Sequence, residues 1–276
     1  MAKNTHLKEV LLWPGTDTIG KVQYIDHMGT DLTVVNAARA SFNVVKDKLS
    51  EKDKKLIKYL VEHKHTSTLE HCVITFKFTV PLYIRSQHHR HRTWSYNEIS
   101  RRYTSVDMNF YESELFRTQH KSNRQASNEE DLINPEVTYL QECNDAVTGS
   151  ASLLCKHRHK DSLQLYNALI EKGVCREQAR GVLPQNMYTE YWGTVNLNNL
   201  FKFIELRMHE GAQWEIQQVA YACLQIAECL FPVTTQAYKD VYWKEDLEHT
   251  ISIDHLFNEF KVTFFEEFKR FIRAKM

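Results

Sequence analysis

The sequence predicts an α+β fold, a mixed or antiparallel sheet with long flanking helices, on three observations. The run HCVITFKFTV, residues 71–80, alternates Val73, Thr75, Lys77 and Thr79 with Cys72, Ile74, Phe76, Phe78 and Val80, the pattern of a half-buried strand. Several longer stretches repeat apolar residues at helical spacing. Strand and helix signals do not recur as strand–helix–strand units and no internal repeat is present, which argues against a parallel sheet.

In chain order, EVLLWP and KVQYIDHM read as short strands around the turn PGTDTIG. DLTVVNAARASF carries helical spacing. EKDKKLIKYLVEHKH is an amphipathic helix capped by Ser50, with acidic residues in its first turn. After the strand at 71–80, Pro81 is expected to open a helix, PLYIRSQHHRHR, at its first position. The run that follows has no clean period and reads as loop. Residues 113–133 turn polar, the composition of a linker or surface insertion, and 135–172 read as helical. QNMYTEYWGTVN, 185–196, is a strand by its aromatic and β-branched content. NLNNLFKFIELRMHE and AQWEIQQVAYACLQIAECLF are amphipathic helices, and Phe257 to Phe271 reads as a last, aromatic-rich one.

The 276 residues suffice for one large domain or two small ones. Lysine plus arginine equals aspartate plus glutamate at 35 each, so no global field draws the chain to nucleic acid or an anionic membrane. No apolar run approaches the roughly 20 residues of a membrane span, and the first residues lack a signal-peptide core, so a cytoplasmic protein is expected. Six dispersed cysteines without a CxxC read as reduced thiols. There is no GxGxxG and no Walker loop among only eight glycines, so a dinucleotide here would not be held by a Rossmann turn.

Against that neutral background, RHRTWSYNEISRRY, residues 90–103, packs four arginines, a histidine, a glutamate and two serines beside an apolar stretch. Charges entering a core cost several kcal/mol each unless paired or bound. On a helix, Gln87, Arg90 and His91 would share a face, with Arg92 pointing elsewhere. If the next piece is extended, Glu98, Ser100 and Arg102 share a side. Amide, cations, hydroxyl and carboxylate together are an inventory for the phosphate, sugar and base edge of a mononucleotide. An arginine–glutamate network that pins a loop is the competing reading, and a nucleotide- or RNA-binding protein without catalysis stays open beside it. The histidines of HHRHR do not suggest a metal, because Arg85, Arg90 and Arg92 stand among them and would repel a cation. Cys155 to His159 reads as a solvated helix face.

Further polar islands sit at element ends: HTSTLEH (65–71), ARGVLP (179–184), and LRMHEGAQWEIQ (206–217) with Arg207 before Gln213 and Glu215. Taken with Arg90-His91-Arg92 and, seven residues on, Ser100, they resemble the flavin-dependent thymidylate synthase (ThyX) family in its RHR-x7-S signature and its ordered neighbours. ARASF (38–42) resembles the family's N-terminal motif, and TVN (194–196) its strand end. The likeness covers about residues 20–112 and 175–240.

The resemblance implies a homotetramer with a ThyX-like fold. Residues 1–276 would form a single catalytic domain, with a helical and polar insertion at about 113–170 and a helical C-terminal extension at about 241–276. It would convert dUMP to dTMP with FAD, taking carbon from 5,10-methylenetetrahydrofolate and reducing power from NADPH, and would need neither metal nor nucleic acid. Covalent catalysis through a cysteine is not expected, since the cysteines lie outside the polar islands. By matched position, Arg207 polarises the uracil edge. Gln87, Arg90, Glu98, Ile99, Ser100, Arg101, Arg102 and Arg180 line the dUMP pocket, with Arg102 and Arg180 at the phosphate. Ser67, Arg90, His91, Arg92, Glu98 and Asn196 match FAD contacts, joined by Ser41, His65 and Glu70. The chain departs from the family pattern at Asn198, Lys202 and Gly211. Asn198 stands where an arginine is frequent near FAD, Lys202 offers a charge close by, and Gly211 replaces a common histidine.

Overall fold

A computed structural model describes residues 9–13, 18–124, 126–140 and 145–243. Cys143 and the expected helix at 257–271 lie outside them.

Five strands form the main sheet: β1 (Glu9–Leu11), β2 (Lys21–Met28), β3 (Val73–Pro81), β4 (Ser95–Glu98) and β9 (Tyr188–Asn196). Their order is β1-β2-β3-β9-β4, and every pairing is antiparallel. The β3–β9 ladder runs from Val73 opposite Asn196 to Pro81 opposite Tyr188. The alternation read in β3 decides its faces. Ile74, Phe76, Phe78 and Val80 are fully buried, while Thr75, Lys77 and Trp192 of β9 stay partly open to solvent. One covered face and one wet face is the usual economy of an antiparallel sheet.

The covered face meets α6 (Leu197–Met208) and α7 (Trp214–Leu230), whose Leu200, Phe203, Ile216, Val219 and Leu224 complete the core. Around them stand α1 (Asp31–Arg39), α2 (Glu51–Glu62), α3 (Leu82–His88) and α8 (Pro232–Tyr242). Buried carboxylates tie these helices down. Asp53 accepts from its own cap, Ser50, through both N (2.9 Å) and Oγ (2.6 Å), and also from Lys46 (2.6 Å) and Arg39 (2.9 Å). Lys46 and Ser50 hold its carboxyl well below the usual range. Asp31 caps α8 across 202 positions of chain, accepting from Val233 N, Thr234 N and Thr234 Oγ1 at 3.0, 2.8 and 2.6 Å. Burial nevertheless pushes its pKa up.

Four expectations need correction. Residues 95–98 are not loop but the edge strand β4, paired only to β9; an edge strand with polar outward positions leaves no apolar signal. Residues 113–150 hold two separate hairpins, β5 (Phe116–Gln119) with β6 (Ser127–Ile133) and β7 (Glu136–Leu140) with β8 (Ala146–Ser150), so the helix expected from 135 starts only at α4 (Ala151–Glu171). Strands exposed on both faces have no burial to enforce alternation. Pro81 ends β3 and precedes the helix rather than opening it. α8 has no counterpart among the expected elements, although Pro232 at its start is a helix signal.

Candidate functional site

The cluster begins where α3 stops. His88, fully buried, is wedged among Phe78, Trp94, Tyr191 and Phe203, and its Nδ1 lies 2.8 Å from the Tyr191 hydroxyl. Gly193 makes room for this packing, since a Cβ there would stand 2.9 Å from Phe78 and 3.2 Å from Trp94. Beyond His88 the chain tightens into a turn, with His91 N donating to His88 O at 2.9 Å. Tyr96 of β4 donates to the carbonyls of both His88 (3.0 Å) and His91 (3.1 Å) and locks that turn.

Gln87 and His91 therefore converge as the helical spacing suggested, although the helix itself ends between them. They converge on Arg207, at the last turn of α6. Arg207 Nε donates to His91 Nε2 at 3.0 Å, and Nη2 donates to the Gln87 carbonyl at 3.2 Å. A guanidinium only donates, so His91 Nε2 is an acceptor and its ring proton sits on Nδ1. Burial, and then the charge of Arg207, push the His91 pKa down to about 4. His88 is driven down further by burial, with His91, His89 and Arg207 adding. Both rings are neutral at physiological pH. Arg207 is itself depressed by burial and by the exposed Arg90 nearby. Among the described residues no carboxylate pairs with Arg207, Arg90 or Arg92, so this corner holds positive charge that the described residues do not neutralise.

The second group follows β4. Glu98 lies 3.0 Å from Arg85 Nε and accepts from Thr189 Oγ1 at 2.7 Å, which is the arginine–glutamate pin of the competing reading. The alternation expected through Ser100 and Arg102 ends at Glu98. Ile99 N donates to Glu190 O, and the Ser100 carbonyl accepts from Tyr103 N and Thr104 N in a turn. Arg101 points inward, buried, and donates to the carbonyls of Val106 (2.5 Å), Asp107 (3.2 Å) and Tyr188 (3.4 Å), so it clasps the loop instead of lining an open pocket. Arg102 and Arg180 are exposed; Arg180 begins a short turn after α5 (Arg176–Ala179).

A third group surrounds the start of α6. Asn196 caps that helix by accepting from Asn199 N at 2.9 Å. Asn198 is buried; its Nδ2 donates to Glu70 at 3.1 Å and its Oδ1 has no partner. The turn Thr66–Leu69 packs on α6 and leaves Ser67 exposed, as are His65, Ser41, Arg92 and Lys202. Gly211 N donates to His209 Nδ1 at 3.0 Å, which places an imidazole two residues from the family's usual histidine position.

Sequence reasoning missed His88, Tyr96 and Tyr191, because buried aromatic support carries no signal distinct from core. It also misplaced His159, which is buried and bonded to Glu112 (2.9 Å) and Asn186 (2.7 Å) rather than set on a solvated face.

An antiparallel α+β scaffold that gathers unneutralised arginines around neutral histidines at a helix end belongs to the class of proteins built to hold an electron-rich or anionic ligand. The Thy1 family, described as thymidylate synthase complementing protein, matches residues 23–233. Flavin-dependent thymidylate synthases of Thermus thermophilus and Thermotoga neapolitana are 41% and 39% identical over 221 and 229 residues, covering 80% and 83% of this chain and 76% and 94% of theirs. Crystal structures of a UMP/dUMP methylase, PolB, from Streptomyces cacaoi with 5-Br UMP and with 5-Br dUMP are 29% identical. They superpose with TM-scores of 0.64 and 0.66 over 80% and 79% of this chain and 93% and 94% of theirs. The chain belongs to the flavin-dependent thymidylate synthase family. Among the described residues no helix is long and apolar enough to cross a membrane.

Proposed function

We propose that this protein methylates dUMP reductively to dTMP, with 5,10-methylenetetrahydrofolate as carbon donor, FAD as cofactor and NADPH as reductant, in a cytoplasmic homotetramer whose residues 1–276 form one catalytic domain. The observation that carries the reading is Arg207, a partly buried cation bonded, among the described residues, only to neutral groups and adjacent to a second cation, Arg90. Such a charge is stabilised by a ligand that brings negative charge with it. A uracil ring gaining electron density during reaction does so, and the fixed guanidinium then favours the activated ring over the resting one.

The residues present fit FAD. Among the described residues, Asn198 offers a buried acceptor without a partner, Ser67 an exposed hydroxyl, Arg90 and Arg92 cations without carboxylates, and His91 an Nδ1–H opposite the Nε2 that Arg207 uses. Asn196 and Lys202 stand at or in the first turns of α6, His65 and Glu70 flank the turn Thr66–Leu69 packed on it, and Ser41 lies in the separate turn Ala40–Phe42. The flavin supplies the redox chemistry when bound. The chain's part is to bind and orient: Gln87 and Arg207 hold the base, while Ser100, Arg102 and Arg180 hold sugar and phosphate. Glu98 and Arg101 shape the loop that carries them. Arg102 and Arg180 stand on elements other than the Arg207 corner, which supports a pocket completed by a neighbouring subunit.

Release of tritium from [5-3H]dUMP tests the activity. Release is expected to need both methylenetetrahydrofolate and NADPH and to match dTMP formed. A yellow, NADPH-reducible protein that makes no dTMP would overturn it. Light scattering tests the assembly, and a monomer that retains FAD would overturn that part.

A further inference from the structure

We infer that Arg117, on the β5–β6 hairpin, is a positioning residue for the nucleotide pocket: through Glu215 and Gln213 it fixes the amide of Gln87 beside Arg207. The inference deepens the proposed function and rests on it only for the identity of the ligand.

The links are direct. Arg117 Nη2 lies 2.6 Å from Glu215 Oε1, and Glu215 is almost wholly buried. A buried carboxylate needs a partner to stay ionised, and Arg117 is its only cation among the described residues. The other oxygen, Oε2, accepts from Gln213 Nε2 at 2.8 Å. Gln213 Oε1 accepts from the Gln87 side-chain Nε2 at 2.5 Å, and the backbone carbonyl of that same residue accepts from Arg207, so the two contacts meet on one residue.

Chemistry gives this chain one direction. An ionised carboxylate only accepts, so the NH2 of Gln213 must face Glu215 and its oxygen must face Gln87. Gln87 must then present its own NH2 to Gln213. Were Glu215 to lose Arg117, it would be left buried without a cation and would turn toward solvent, which releases the amide orientation at both glutamines.

The hairpin is built to deliver this contact. The β5–β6 register breaks between Arg117 and Thr118, the kind of irregularity that re-aims a side chain. Arg117 Nε is held by Ser127 Oγ at 2.9 Å, and its guanidinium lies over the Trp214 ring at 4.9 Å. A cavity of about 320 Å³ is lined by Phe116 and Arg117 of the hairpin and by Tyr111 and Glu215 of the body, so the ion pair stands in its wall.

The test measures dUMP affinity of the flavin-loaded protein by calorimetry, the His91 titration by NMR, and the melting temperature. Arg117→Ala is expected to weaken dUMP binding by roughly tenfold or more, the loss of a hydrogen bond to a charged group. His91 should titrate at higher pH, because a Gln87 freed from Gln213 lets its backbone carbonyl, and with it Arg207, shift away from His91. Arg117→Lys should recover part of both effects, because it keeps the charge without the planar fork. Gln213→Ala combined with Arg117→Ala should cost no more than the worse single change, since both break one chain. Thr118→Ala, which breaks a hairpin contact to Asp131 outside the relay, should leave dUMP affinity unchanged. Unaltered dUMP affinity in folded Arg117→Ala, or an equal loss in Thr118→Ala, would overturn the inference. If the unsubstituted protein binds no dUMP, the proposed function fails while the His91 titration still decides the role of Arg117: an unmoved titration rejects it.

Discussion

The corner around Arg207 and the loop that carries Arg102 differ in how much of their geometry one chain supplies. At the first, the central groups are held: Arg207 by His91 and the Gln87 backbone, the turn by Tyr96, and His88 by Tyr191. At the second, the backbone is clasped by buried Arg101 while the arginines meant for a ligand, Arg102 and Arg180, project into solvent. The first is pre-organised, so under the proposed function its contribution would fall on the reacting ring, where ångström errors are expensive. Under the same proposal the second would be a docking arm for a charged group, which tolerates looser geometry and contributes affinity.

The strongest test of that contrast is Arg207→Ala. We expect it to fold, hold FAD and be reduced by NADPH, while single-turnover dTMP formation falls by roughly a hundredfold or more, the scale of losing an electrostatic stabiliser. Equal loss of flavin reduction would mean that Arg207 serves the cofactor or the fold. Next comes Arg180→Ala, expected to weaken dUMP binding by roughly 1.5–3 kcal/mol with FAD content nearly unchanged. Normal dUMP binding with lost flavin would reverse the assignment. Arg101→Ala sharpens the comparison from within the same loop: it should lower the melting temperature while changing dTMP formation less than Arg180→Ala does, because its partners are backbone carbonyls.

The smallest effect concerns pH. His91 titrates near 4 when folded, below its ordinary value of 6.5, so in that interval the folded chain binds fewer protons than the unfolded one. Its contribution to stability is thus complete above pH 6.5 and is lost as pH falls toward 4. His88 acts in the same direction. Melting temperature should drop between about pH 7 and about pH 4.5, and His91→Gln should flatten part of that drop. An identical slope in the variant would mean the acid sensitivity lies elsewhere.

Much of this was legible in the residues. β3 announced itself by strict alternation, α2 by its cap, and the nucleotide corner by charges too dense for their apolar neighbours. Glu98 was legible only as a choice between ligand and loop pin, and its contact with Arg85 at 3.0 Å is compatible with both. What could not be read was support at a distance. Arg117 is a lone arginine in a polar stretch, and nothing local says that it reaches a carboxylate 98 positions on. Arg101 and Arg102 are adjacent and chemically identical, yet one is buried and one exposed, a difference set by the loop's path rather than by composition. The hairpins at 116–150 were illegible because they bury too little to pattern.

The pairing of β3 with β9 also sets a timetable for synthesis. The partner strand begins more than a hundred residues after β3 ends, so at translation rates of about 5–20 residues per second β3 waits on the order of 5–20 seconds for it. During that wait one hydrogen-bonding edge and the row Ile74, Phe76, Phe78 and Val80 stand uncovered on the nascent chain, a template for mispairing. Thr75, Lys77 and Thr79, interleaved on the opposite face, act as gatekeepers against it, and the charge of Lys77 answers to Glu190 (2.8 Å) only after β9 has emerged from the ribosome.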